Sequence, residues 1–273
     1  MALIRNVLKG LFVIIITFIV FIALKNVMGD IGGMPESFKA AYGDSIFIKA
    51  GLFYPAVITL FLIIFIHLLL NYCYLFKYIG LVPNKRGIMY GLLFGGLWFL
   101  GFIELIVTYH SNYQRHILSG IRDLISLSIF GLMIGILFKN NSIKTVKRHE
   151  SLFVIIPVAG FFALFHGIQY HLTFKEIEQS ANNIFIILWL LMIGAWIGIM
   201  YYYLAPSSNK VVFKVCFFSL NVFGINWLLY TSFYNLFLDI PYNDILIRCT
   251  FDSFGVLIGV MIYELLRRTR NFA

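Results

Sequence analysis

The sequence predicts an all-α polytopic transmembrane helical bundle of about eight spans, built as two parallel four-helix repeats. Three observations predict it. Apolar residues make up 61% of the chain and charged residues 12%, with a mean hydropathy of +0.90; soluble domains carry about 25% charge. Apolar runs of the roughly 17–25 residues that cross a bilayer recur from end to end. Finally, the chain repeats itself. Tyr72-x-Tyr74-Leu75 returns as Tyr201-x-Tyr203-Leu204, Lys85 as Lys214, and Phe94-Gly95-x-x-Trp98 as Phe223-Gly224-x-x-Trp227, each 129 residues on. Phe130-Gly131-x-x-Ile134-Gly135 returns as Phe254-Gly255-x-x-Ile258-Gly259 at an offset of 124, which implies a five-residue deletion in between. Repetition at a fixed spacing marks a duplication, with the repeats at 1–148 and 149–273, and duplicated membrane proteins place ligand sites where their halves meet.

The spans follow in order. The first, about 7–28, has Arg5 and Lys9 ahead of its apolar stretch Leu11–Leu24 and reads as an uncleaved anchor, because no small-x-small cleavage site follows. A glycine-rich connection over 25–50 (Gly29, Gly32, Gly33, Pro35) precedes span two, about 51–77, which holds Pro55 and His67. Spans three and four, about 87–109 and 121–139, carry Gly87/Gly91/Gly95 and Gly131/Gly135. Spans five to eight lie at about 151–173, 184–205, 211–238 and 245–266, with Gly194/Gly198 on the sixth and Gly255/Gly259 on the eighth. Small residues four apart share a helix face and allow close backbone approach, so spans three and four, and likewise seven and eight, are expected to form tight pairs. Pro55 and Pro157 are expected to kink their helices. Tyr72, Tyr74 and Tyr201–Tyr203 read as interfacial belt residues, and Cys73, Cys216 and Cys249 as small buried hydrophobes.

The net charge of +9 reflects topology. With the N-terminus inside, the inner segments carry fourteen Lys and Arg residues, among them Lys85, Lys147, Arg148 and Arg267, against five outside: Lys25, Lys39, Lys49, Arg115 and Lys175. Basic residues stay on the cytoplasmic side, so the expected location is the plasma membrane with both termini cytoplasmic. Nothing in this distribution calls for a nucleic-acid partner.

Ionisable groups inside a span cost at least ~2.5 kcal/mol near the bilayer centre. Glu104 on span three, Arg122 and Asp123 on span four, and Arg248 and Asp252 on span eight stand out, all toward the outer ends. Arg248 and Asp252 lie four apart and are expected to neutralise each other. Asp123 is placed in the first turn of span four, where a negative charge suits the helix dipole. His110, His116, His166 and His171 gather on the same side. The expected site is an outward-open polar pocket between the halves, lined by Glu104, Arg122, Asp123, His166, His171, Arg248 and Asp252. A metal is not expected, because His166 and His171, five apart, diverge by about 140° on a helix. No catalytic motif or phosphate-binding glycine loop occurs and no cofactor is implied.

The expected function is binding or translocation of a small solute or lipid at that pocket, with membrane lipids as partners. One alternative is a scaffold or accessory subunit meeting another membrane protein, or a second copy, through its Gly-x-x-x-Gly faces. The other is an enzyme acting at the outer leaflet.

Overall fold

The structure, a computed structural model, describes residues 2–28, 36–76, 78–79, 81–109, 112–138, 151–172, 183–206 and 210–270. Its helices are α1 (Ala2–Met28), α2 (Glu36–Tyr42), α3 (Ile46–Lys49), α4 (Phe53–Leu75), α5 (Pro83–Tyr109), α6 (Tyr113–Leu137), α7 (Ile155–Leu172), α8 (Asn183–Leu204), α9 (Val211–Cys216), α10 (Asn226–Thr231), α11 (Phe233–Phe237) and α12 (Tyr242–Arg270). A π-helical stretch, Phe217–Ile225, joins α9 to α10, so that 211–237 runs as one rod. Among the described residues there is no strand, and eight helices are long and apolar enough to cross a membrane.

Helix ends depart from the hydropathy reading where capping decides them. Asn112 accepts a hydrogen bond from the Arg115 amide at 3.3 Å and starts α6 at Tyr113 rather than near 121. Asp123 therefore sits in the third turn, beyond the reach of the helix N-terminus, and the expected dipole stabilisation does not apply to it. Pro55 and Pro157 lie in the first turns of α4 and α7. A missing N–H there breaks no helical bond, so both residues fit helix starts and not the expected kinks.

Glycines bring α5 and α6 into backbone contact. A Cβ on Gly87 would meet the Gly131 carbonyl oxygen, and one on Gly91 would meet that of Leu127. In lipid this closeness is itself the attraction, since joining two helices there hides little apolar surface from water. The stripe on α12 behaves differently. Gly255 and Gly259 lie on the carbonyls of Phe161 and Pro157, while Gly194 and Gly198 lie on Ala159 and Ile155. Thus α7 is gripped from both sides by α8 and α12, and the expected glycine-mediated pairing of the seventh and eighth spans is replaced. Among the described residues, only Gly224, against Ser253 Oγ, links those two in this way.

Indoles fasten the halves together. Trp189 Nε1 donates to the Leu100 carbonyl and Trp196 Nε1 to that of Leu93, both at 2.8 Å, tying α8 to α5. Trp98 Nε1 donates to Asn226 Oδ1 at 3.1 Å. On the opposite flank Asn221 Nδ2 donates to Asn71 Oδ1 at 2.6 Å, and Asn71 is bonded in turn to His67 at 2.9 Å. Tyr72 and Tyr201, expected at an interface, are core residues. Cys249 is buried as expected, whereas Cys73 is exposed.

At the end of the bundle that holds Tyr113 and Tyr242, the connection before α4 docks on the turn after α11. Ser45 Oγ donates to the Leu236 carbonyl at 2.6 Å, the Asp239 amide donates to the Gly43 carbonyl at 3.3 Å, and Lys49 pairs with Asp239 at 3.1 Å. Gly51, at φ 69°, turns the chain from α3 into α4. Gly29, Gly32, Gly33 and Pro35 lie outside the described residues.

Candidate functional site

The expected pocket residues separate into two groups. The first is closed to solvent. Glu104 of α5, His166 of α7, and Arg248 and Asp252 of α12 are each at most 1% exposed. The Arg248 guanidinium donates through Nη2 to Glu104 Oε1, which also accepts from Tyr170 OH at 3.1 Å. His166 Nδ1 bonds Asp252 Oδ1 at 2.8 Å, and Trp227 Nε1 donates to Asp252 Oδ2 at 2.7 Å. An ionised carboxylate only accepts, so in this arrangement His166 carries its proton on Nδ1. Its Nε2 then lies 3.8 Å from Glu104 Oε1.

These bonds run between helices, while Arg248 and Asp252, expected to neutralise each other along α12, also act on each other as opposite charges. Arg248 binds the acid of α5, and Asp252 binds an imidazole of α7 and an indole of α10. A buried charge is tolerated when paired and hydrogen-bonded, and cross-linking three separate helices meets that need while setting their register. Rings close the group off from bulk solvent. His166 packs against Phe162, Tyr170 and Trp189 with ring centroids 5.3, 4.8 and 5.3 Å away.

The second group does face a cavity, of about 760 Å³, in the range of small-molecule pockets. It lies between α1, α4, α5 and α6, and is closed by α10 and α11. Arg122 Nε donates to Asp123 Oδ1 at 2.8 Å, and the guanidinium lies over the Phe21 ring, 4.4 Å from its centroid. Arg122 is 8% exposed, and its terminal nitrogens hold no hydrogen bond to another described residue. His116, 3% exposed, lines the same space, and its Nδ1 has no hydrogen-bond partner among the described residues. Aromatic rings, among them Phe61, Phe102, Tyr230 and Phe233, form much of the wall. Tyr230 stacks on Trp227 at 5.2 Å, so this ring pair separates the cavity from the buried group behind it.

The expected pocket is corrected accordingly. Arg122 and Asp123 line the cavity, while Glu104, His166, Arg248 and Asp252 form a closed group behind the aromatic wall. His171 belongs to α7 but its side chain lies outside the described residues, as does His110. Among the described residues, no group of three His, Cys, Asp or Glu side chains is arranged to hold a metal ion.

One ionic group was not foreseen. At the opposite end, Glu264 of α12 accepts from Tyr201 OH at 2.5 Å and from Lys214 Nζ at 2.8 Å, with Arg267 Nη2 3.6 Å from its other oxygen. Both Lys214 and Glu264 are buried. Lys214, one of the fourteen basic residues that the sequence places on the inner side, is thus a buried partner and not a loop charge. The available signal was Glu264 itself, an acid inside the apolar run 245–266. No protein-family model, curated protein or solved structure matches this chain.

Proposed function

We propose that this chain is a multi-pass plasma-membrane protein, both termini cytoplasmic, that binds or translocates a small solute or lipid through an outward-facing cavity where two parallel repeats meet. The observation that carries this reading is the cavity of about 760 Å³ beside Arg122 and Asp123, walled by four helices of the first half and closed by α10 and α11 of the second. Large internal spaces run against the close packing of protein interiors, and polar groups facing an apolar chamber are the ordinary composition of a ligand site.

Several relationships support the duplication. α6 and α12 begin at Tyr113 and Tyr242, 129 residues apart. Gly95 packs on Leu124 and Gly224 on Ser253, again 129 apart. Neighbours correspond as well: α1 packs on α6 as α7 packs on α12, and α5 packs on α8 as the rod 211–237 packs on α4. Across spans two to four this register replaces the offset of 124, requires no deletion there, and aligns Asp123 with Asp252, while α1 and α7 stand outside it, since 155–172 lies 129 residues beyond 26–43. The repeats are then 1–148 and 149–273.

The two alternatives lose support. The Gly-x-x-x-Gly faces that a scaffold would present are filled by helices of the same chain. Of Glu104, Asp123 and His166, the acid or base an outer-leaflet enzyme would use, Glu104 and His166 are shut away from the cavity and Asp123 alone lines it. The test is native mass spectrometry of protein taken from its own membranes, beside an Ile58→Trp variant that narrows the cavity mouth at a position 42% exposed. A molecule retained by the parent and absent from the variant is expected. Identical spectra from both would sink the reading.

A further inference from the structure

We infer that the cavity's ligand is an acyl lipid with an anionic, phosphate-bearing headgroup. This rests on the reading of the cavity as a binding site and goes on to name its occupant. Charge comes first. Among the described residues of the lining, Arg115 and Arg122 stand against one acid, Asp123, so these groups leave an excess of positive charge in apolar surroundings. Geometry comes second. Asp123 takes the Nε of Arg122 and Phe21 supports the guanidinium plane, which fixes the side chain and leaves both terminal nitrogens to donate. A guanidinium so held suits the paired oxygens of a phosphate, which accept two parallel N–H bonds.

His116 supplies an independent observation. It lines the same cavity, is 3% exposed, and holds Nδ1 without a partner among the described residues. A buried polar nitrogen of this kind costs free energy unless something bonds it, and a headgroup oxygen would. The walls complete the argument. Phe61, Phe102 and Phe233 form an apolar chamber beside the cations, and the mouth carries exposed apolar side chains, Ile22 and Ile58 at 43% and 42%. A hydrated small anion has no use for that surface, whereas an acyl chain entering between α1 and α4 does.

The test is titration of the purified full-length chain with phosphatidylglycerol, with phosphatidylcholine of the same acyl chains, and with free glycerol phosphate, read by native mass spectrometry. Phosphatidylglycerol is expected to bind at one equivalent in preference to phosphatidylcholine. Arg122→Gln should lower that preference about ten- to hundredfold, the range of a charge-assisted hydrogen bond. Arg115→Gln, at an exposed position where folding is not at stake, should lower it less. Equal binding of the two lipids, or a preference unchanged in both variants, would overturn the assignment. Displacement by glycerol phosphate would overturn the lipid and leave a soluble phosphate compound. If a neutral lipid binds and Ile58→Trp expels it, the ligand class fails while the binding reading stands. If Ile58→Trp changes no lipid's binding, both fail.

Discussion

Arg248 of α12 and Glu104 of α5, 144 residues apart in sequence, form a buried ion pair that joins the two halves of the chain. Glu104 also accepts from Tyr170, so one carboxylate brings together three helices. Removing it takes the directly bonded carboxylate from a guanidinium in a closed interior and leaves Asp252 as a more distant countercharge. Glu104→Gln should cost about 3–5 kcal/mol, read as a lowered thermal transition in detergent. The double substitution Glu104→Met/Arg248→Leu should recover most of that loss; a double variant as unstable as the single one would show that the pair does more than cancel its own charges.

His166 and Asp252 are predicted to couple. Substituting each alone and then both, as His166→Phe and Asp252→Asn, should yield a coupling energy of roughly 1.5–3 kcal/mol, the worth of a hydrogen bond to a charged group. Thermal melts of the four proteins supply the cycle. Additive losses would mean that the 2.8 Å contact contributes nothing of its own.

Glycine positions divide sharply by surroundings. Gly131→Val would drive a side chain into the Gly87 carbonyl and should abolish monodisperse, folded protein. Gly160→Ala, which meets nothing within 4 Å, should change the melting temperature little. Size-exclusion profiles of the two variants make the comparison, and a well-behaved Gly131→Val would refute the close α5–α6 contact.

The remote group at Glu264 is expected to be structural. Tyr201→Phe removes one hydrogen bond to the carboxylate and should cost about 1.5–3 kcal/mol, without altering lipid preference at the cavity. A change in lipid selectivity in this variant would instead couple the two ends of the bundle.

Orientation is open to direct measurement. In a background where the exposed Cys73 is replaced by serine, Arg115→Cys should react with an impermeant thiol reagent on intact cells, and Lys85→Cys should not. The reverse pattern would invert the bundle and turn the cavity toward the cytoplasm.

Much of the fold was legible because apolar run length follows directly from bilayer thickness. The eight spans lie where hydropathy placed them, and only α6, begun eight residues early by the Asn112 cap, strayed far. The site was legible in part, for a reason that Arg248 illustrates. A charge inside an apolar run announces its cost, but the sequence exposes only partners on the same helix, and Asp252 was the nearest in that sense. Glu104 is adjacent only after α5, α7 and α12 assemble. The cavity was not readable at all, since a space is set by where Phe61, Phe102 and Phe233 leave off, and no local pattern encodes that.

The indole of Trp227 has a practical consequence. It is fully enclosed, bonded to Asp252, and stacked on the Tyr230 ring whose other side borders the chamber. Of the four tryptophans, Trp98 also touches Tyr230, at 5.4 Å. Half of the tryptophans therefore sit one ring away from any occupant, so indole emission can follow filling and emptying without a dye, and Trp227→Phe marks which part of the signal belongs to that wall.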